Sequence, residues 1–338
     1  MVWVPSLAQD PELRESLSEL ITVGNVSALC FAEERHPHDV GRLNRDMKVK
    51  TVITYKREKV EPGKMVLNPL HEPNFQPYTE LFFLVENLLD ADFYHIVLRL
   101  YREENGFAPY CCTVYPLMGG GVTTAKVMEN EVALRQHYCL AIADSDKISP
   151  QGKKGDTVKD LMTAVATSPF NCEVYGLEDV AEIENLIPQR VVRHLYPLQA
   201  GVIDIFAKDP SFFDMKCGLE LKVLVRDKDC DYWRRLLPEK QADFDQRDAL
   251  KAAHPGRQNL ENALTAANHK ILEGFGTNLM KRVMNADRDA PTEIQQENIE
   301  ANHLLNQTEM ADLNASQQRE WMNVGEKIFN WACGMKAT

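Results

Sequence analysis

Two short apolar runs end directly on carboxylates, and this limits the architectures open to the chain. Leu81–Val85 (Leu-Phe-Phe-Leu-Val) runs straight into Glu86, and Tyr138–Ala143 runs straight into Asp144-Ser145-Asp146. A short run with almost no polar member reads as a strand buried on both faces. Helical spacing lies between the two: Phe93, Ile96, Val97 and Leu100 recur through Asp92–Arg102. Pro109–Leu117 is β-prone and is broken by Gly119–Gly121, and Thr123–Gln136 reads as a helix. Thr157–Ala166 is helical, Phe170–Tyr175 is a short strand, and Glu178–Leu186 begins a further helix. The order βαβαβαβα predicts an α/β fold, with a parallel sheet flanked by helices.

This core occupies residues 77–190. Asn68, Pro69, Pro73 and Pro77 mark the connection before it, so residues 1–76 form an N-terminal extension. The extension carries a helical stretch at Pro11–Ile21 and β-prone runs at Ser27–Ala32 and Lys50–Tyr55. Residues 191–338 form a mixed, then mainly helical C-terminal region. Ala249–Asn285 and Pro291–Met335 have helical composition, and Gly274 and Gly276 interrupt the first.

The placement of the acids indicates chemistry. In an open parallel sheet, ligands bind outside the carboxyl ends of the strands. Two strands therefore deliver Glu86, Asp144 and Asp146 to one edge. Hard cations take oxygen ligands, often one or two carboxylates with substrate phosphate oxygens, so Mg²⁺ or Mn²⁺ is the cofactor expected at this triad. Such a metal binds a phosphoryl oxygen and activates water. Carboxylates at strand ends also serve as turn and cap residues, and that reading stands beside the metal one.

Composition narrows the alternatives. The eight cysteines include no C-x-x-C pair, which argues against a zinc site or a secreted disulfide framework. No apolar run approaches the roughly 18 residues that a membrane helix needs, and no basic start precedes an apolar stretch, so a cytoplasmic protein with no membrane partner is expected. The net charge of −12 sets this chain apart from proteins that coat nucleic acid through general basicity. Either a phosphate chain is held by local patches, by metal or by a partner's surface, or nucleic acid is not the substrate.

The segment resembles the Toprim family, the metal-binding domain of topoisomerases, bacterial primases and overcoming-lysogenization-defect (OLD) type nucleases. The first family motif stands here as Phe82-Phe83-Leu84-Val85-Glu86-Asn87-Leu88-Leu89-Asp90, and the second as Ala141-Ile142-Ala143-Asp144-Ser145-Asp146. Leu117-Met118-Gly119-Gly120-Gly121 matches the glycine-containing strand end between them. Asn87 replaces the usual glycine, and asparagine is the next-best residue for a left-handed backbone. Ile148 stands where topoisomerases carry a third acid, which moves the resemblance towards small Toprim nucleases. Glu182-Ile183-Glu184-Asn185-Leu186-Ile187 and Phe213-Asp214-Met215-Lys216-Cys217-Gly218 resemble segments of Toprim-like effectors in ATPase-paired phage-defence systems of the PARIS type. The resemblance implies a Toprim-like sheet and a Mg²⁺-dependent nuclease acting on RNA (tRNA among the candidates) or DNA. It also implies an anti-phage effector controlled by an ABC-type ATPase partner. A free nuclease would endanger its own cell, so activity is expected to depend on assembly with that partner or in a homo-oligomer. A non-catalytic assembly subunit with this fold and a primase-like nucleotidyl-transfer enzyme are the alternatives.

Within that frame Glu86, Asp144, Asp146, Glu184 and Lys216 are the candidate catalytic residues. Glu184 completes the metal site or positions a water, or else is a helix-dipole acid. Glu182, two positions away, is expected on another side of that helix, acting apart from Glu184. Lys216 approaches the scissile phosphate. Gly119 and Gly120 are candidate phosphate-cradling amides, against a plain strand-to-helix turn, and Lys147, Lys153 and Lys154 offer phosphate contacts or a solvated basic loop. Arg226, Lys228, Arg234 and Arg235, interleaved with Tyr232 and Trp233, read as a surface helix ahead of a single-strand-binding patch. His36 and His38 read as an exposed polar loop. Trp321, Ile328, Phe329 and Trp331 form a packing stripe.

Overall fold

The computed structural model describes residues 50–53, 64–67, 81–108, 111–132, 138–167, 172–199 and 211–334. In the extension, β1 (Lys50–Ile53) pairs in parallel with β2 (Lys64–Leu67), which places a strand within the β-prone Lys50–Tyr55. Pro11–Ile21, Ser27–Ala32, His36 and His38 lie outside the described residues.

The core begins with β3 (Leu81–Val85) and α1 (Leu88–Glu104), followed by β4 (Val114–Met118), β5 (Cys139–Ala143), α2 (Asp156–Thr167) and β6 (Cys172–Gly176). Among the described residues the central sheet is four-stranded and wholly parallel, in the order β4-β3-β5-β6. Side chains alternate across a strand, so each central strand feeds two cores. Leu81, Phe83, Val85, Leu140 and Ile142 face the α1 side. Phe82, Leu84, Cys139, Ala141 and Ala143 face Val158 and Leu161 of α2. The chain steps from β3 to β4 on one flank and later to β5 on the other. The order therefore reverses between β3 and β5, which opens a crevice at their carboxyl ends.

Asn87 starts α1 in a way the sequence pattern did not indicate. Its backbone is extended (φ −135°), not left-handed. Its Oδ1 accepts from the Leu89 N–H, and Asp90 Oδ2 accepts from the Asn87 N–H. This reciprocal capping box rewards asparagine directly and needs no left-handed residue.

Beyond β6 the expected helix over Glu178–Leu186 is absent. Bends lead instead to a 3₁₀ turn at Ile183–Leu186 and then to α3 (Gln189–Leu195). The predicted Thr123–Gln136 helix is broken into 3₁₀, α and π turns over Gly121–Val132.

The C-terminal region runs through β7 (Gly218–Glu220), α4 (Asp227–Leu236), α5 (Gln241–Ala253), α6 (Arg257–Ala267), β8 (Lys270–Glu273), α7 (Thr292–Asn306) and α8 (Ala315–Ala332). β8 falls inside a stretch read as helical, and it pairs antiparallel with β7. Helix α8 returns to lie along α1. Trp321, Ile328 and Phe329 are buried there, and Phe93 and Trp321 meet edge-to-face with centroids 5.7 Å apart. A Cβ at Gly325 would fall 2.3 Å from Tyr101 Cβ, so glycine sets the closeness of the two helices. One apolar cluster runs from Leu81 to Phe329, and the core and C-terminal regions share it. Among the described residues, no helix is long and apolar enough to cross a membrane.

Candidate metal centre

The crevice between β3 and β5 collects carboxylates from three places in the chain. Glu86 leaves the end of β3, Asp144 leaves the end of β5, and Glu182 and Glu184 come from the turn after β6. Ligand oxygens of Asp144, Glu182 and Glu184 all lie within 4.8 Å of one another. Two unit charges about 5 Å apart repel by roughly 3 kcal/mol at an effective dielectric near 20, so the group needs a counter-charge. The fold supplies one in Lys216, whose Nζ is 3.2 Å from Glu182 Oε2 and 3.2 Å from Glu184 Oε1.

Hydrogen bonds hold this set in place. The Ile183 N–H donates to Asp144 Oδ1 at 2.8 Å, linking the end of β5 to the acidic turn. The Met215 N–H donates to Glu182 Oε1 at 2.7 Å. Asn185 spans the turn: its Oδ1 accepts from the Glu182 N–H, and its Nδ2 donates to the Phe213 carbonyl. From behind, Gln317 Nε2 on α8 donates to the carbonyls of Asn185 (2.8 Å) and Ile187 (2.9 Å), and Trp321 Nε1 donates to that of Leu186. Every oxygen of Glu182 is thus engaged, whereas Glu184 Oε2 is buried and has no hydrogen-bond partner.

Charge crowding is visible in the acidities. Burial, then Glu184, Glu182 and Glu86, push the Asp144 pKa well above the usual aspartate range. Burial and Glu184 likewise raise Glu182. Burial, then Asp146 and Glu184, raise Glu86 despite the lowering effect of Lys216. Asp90 is pushed up to about 7, first by burial and then by Glu184. Burial works against the Lys216 ammonium, but Glu182, Glu184 and Asp144 outweigh it and hold the ammonium above the usual lysine range. The carboxyl shifts report burial first and, after it, the negative charge gathered around one lysine.

The tightly grouped acids overlap the expected triad at Asp144. The converging oxygens belong to Asp144, Glu182 and Glu184, not to Glu86, Asp144 and Asp146. Glu86 stays within electrostatic reach of Glu184 and Lys216. Asp146 lies outside this tight group because β5 ends at Ala143 and the two-residue spacing no longer guarantees one face, yet it stays within electrostatic reach of Glu86 and Lys216. Its backbone is left-handed (φ 53°), its N–H donates to the Ala181 carbonyl, and its side chain lies exposed against Gly155. Glu182, expected to act apart, joins Glu184 because Glu182 is extended (φ −143°, ψ 164°) and precedes the 3₁₀ turn. Acids two apart share a face in extended backbone, and this Glu-x-Glu spacing was the sequence signal for it.

The expected substrate contacts are engaged elsewhere. The Gly119 N–H donates to the Val85 carbonyl (2.7 Å) and that of Gly120 to the Glu86 carbonyl (3.0 Å), so both amides extend the sheet edge and leave no free N–H for a phosphate. The largely buried Lys147 donates to the Glu178 carbonyl at 2.8 Å and reaches Glu178 Oε2 at 3.4 Å, and Lys154 pairs with Glu178 Oε1. The one glutamate thus pairs with both lysines. In α4, Trp233 is buried and donates to the Ile148 carbonyl, and Arg234 pairs with Asp248, as a surface helix requires.

Comparison of the chain with protein-family models, with curated proteins and with solved structures gives no match.

Proposed function

We propose that this chain is a Mg²⁺- or Mn²⁺-dependent phosphodiesterase of Toprim type, cleaving RNA or DNA. The observation that carries the proposal is Glu184 Oε2. It is a buried carboxylate oxygen without a partner, within a three-carboxylate group whose ligand atoms span no more than 4.8 Å. Leaving a buried charged acceptor unsatisfied is expensive, and a hard cation relieves it. The two apolar-strand motifs ending at Glu86 and Asp144, and the sheet reversal between those strands, support the same view.

Asp144 and Glu184 are the residues to hold the cation, with Glu182 and Glu86 within reach. A bound divalent cation supplies positive charge for a phosphoryl oxygen and lowers the pKa of a bound water. The chain's own groups do the rest. Lys216 sets the spacing of the two glutamates and offers an ammonium to a substrate phosphate. The turn at Ile183–Leu186, clasped by α8, keeps the carboxylates from splaying apart. Control by an ABC-type ATPase, in a defence role, belongs to this proposal through the resemblance of the Glu182–Ile187 and Phe213–Gly218 segments.

Calorimetric titration of Mn²⁺ into the protein and into Glu184→Gln tests it, alongside cleavage of labelled RNA and DNA with and without chelator by wild type and Glu86→Ala. Metal binding lost in Glu184→Gln, with metal-dependent cleavage lost in Glu86→Ala, is the expected result. Equal metal binding by both proteins overturns the site.

A further inference from the structure

A second feature of the structure has the opposite charge. A cavity of about 540 Å³ opens among the loop before α2, the start of α4 and the α5–α6 connection. Its charged lining is Lys153, Arg226, Lys251, His254 and Arg257 against a single acid, Asp227. That acid is already shared, with Lys251 Nζ 2.7 Å and Arg247 Nη1 2.8 Å from its Oδ1. Lys153, His254 and Arg257 make no side-chain hydrogen bond or ion pair among the described residues. Arg226 donates from Nη2 to the Gln151 carbonyl and its Nε lies 3.8 Å from Asp229 Oδ2, while its Nη1 is buried without a partner. Helix α6 opens onto the same space from Gly256 with no side-chain cap, so its first amides add positive potential. In a chain of net charge −12 this grouping stands out, with Lys153 and Arg257 making no ion pair among the described residues.

The cavity is tied to the carboxylate crevice by one stretch of chain. Residues 144–155 begin with Asp144 and end beside Lys153. Ser149 Oγ donates to Asp229 Oδ1 at 2.6 Å and Trp233 Nε1 donates to the Ile148 carbonyl at 2.8 Å, which pins that stretch to α4. Of its three lysines, Lys147 and Lys154 are held by Glu178, and Lys153 alone faces the cavity.

We infer that this cavity is a phosphate-binding subsite for a nucleic-acid strand. It takes backbone phosphates to one side of the phosphodiester presented to the carboxylate cluster. The inference rests on the proposed nuclease activity and adds to it where the strand lies and why an acidic protein can hold it. The positive charge is local, so phosphate attraction is directed to one track.

Fluorescence anisotropy with a labelled single-stranded RNA and its DNA counterpart, in chelator, reads binding separately from cleavage. Lys153→Glu/Arg257→Glu changes two exposed side chains, and Lys281→Glu/Arg288→Glu makes the same charge change elsewhere on the surface. The cavity variant is expected to lose about tenfold in affinity and to flatten the salt dependence by roughly two phosphates' worth, while the control variant keeps the wild-type salt slope. Unchanged thermal unfolding excludes misfolding as the cause. Equal binding by both variants overturns the subsite, as does a wild type that binds ATP in this cavity but no oligonucleotide. A strand cleaved by wild type yet bound equally by the cavity variant removes the subsite and leaves the metal centre standing. A strand bound through the cavity but uncleaved with any divalent metal does the reverse.

Discussion

Lys216 places one ammonium 3.2 Å from both Glu182 and Glu184, so a single side chain serves as the internal counter-ion of the acidic crevice. Removing one partner of a fully buried pair costs about 3–5 kcal/mol. Lys216 is about one-third exposed, and solvent screening lowers the cost. Lys216→Met is expected to lose about 2 kcal/mol in chelator. Because the variant leaves the glutamates uncompensated, added Mg²⁺ should raise its melting temperature more than that of wild type. Equal Mg²⁺ shifts would show that the lysine and the metal do not answer the same charge.

The raised carboxyl groups make stability depend on pH in a defined direction. Asp90 sits at about 7 against an ordinary 3.8, and Glu86, Asp144 and Glu182 are raised as well. The folded protein therefore binds more protons than the unfolded chain below about pH 7, and its stability falls as pH rises through that region. Without metal, the melting temperature should climb as pH drops from about 8 to about 6, until acid titrates the unfolded carboxyls too. Saturating Mg²⁺ should flatten this slope, because the cation replaces the protons. A chelated protein whose melting temperature is flat or falls on that acidification would contradict the charge crowding.

What could be read from the sequence, and what could not, divides along physical lines. Leu81–Val85 and Tyr138–Ala143 announced central strands because a strand covered on both faces has no room for polar residues. Their terminal acids announced the crevice. The roles of Gly119 and Gly120 were not legible, since their amides pair with carbonyls of a neighbouring strand. β8 was hidden for the same reason: Lys270–Glu273 has helical composition and becomes a strand only beside Gly218–Glu220. Glu182 was misassigned through the backbone state of its segment, which is decided by Asn185 reaching Phe213 and by Gln317 reaching Asn185 and Ile187.

The β7–β8 contact imposes a glycine requirement next to Lys216. A Cβ at Gly274 would lie 2.4 Å from the Lys216 carbonyl oxygen and 2.6 Å from the Gly218 nitrogen, both backbone atoms that must move. Gly276 has a left-handed φ of +88° but open space around it. Gly274→Ala should cost about 2 kcal/mol or more by steric overlap, and Gly276→Ala about 1 kcal/mol by backbone strain alone. Urea unfolding of the two variants ranks them. The larger loss should be accompanied by weaker metal binding, because displacement of Lys216 loosens the glutamates. If Gly276→Ala is the more damaging change, steric closure at Lys216 is not what selects glycine at position 274.

Gln317 tests whether the crevice is positioned from a distance. It lies on α8, is buried, touches none of the carboxylates, and donates to the carbonyls of Asn185 and Ile187 on either side of the acidic turn. Its own Oε1 accepts from the Asn314 N–H, which fixes the amide's orientation. Truncation takes this donor from two buried carbonyls, at up to about 1–3 kcal/mol each. Gln317→Ala should therefore lower the urea midpoint by an amount worth about 2–4 kcal/mol, with no change in the denaturant slope. A stability loss alone would mark an ordinary packing residue. The positioning role predicts more: Mn²⁺ affinity should fall by about tenfold in the still-folded protein, as happens when the support behind a ligand is removed. Gln317→Glu keeps the size and removes the donor, so it should weaken metal binding as Gln317→Ala does. Full Mn²⁺ affinity in both folded variants would show that Asp144, Glu182 and Glu184 hold their spacing without help from α8.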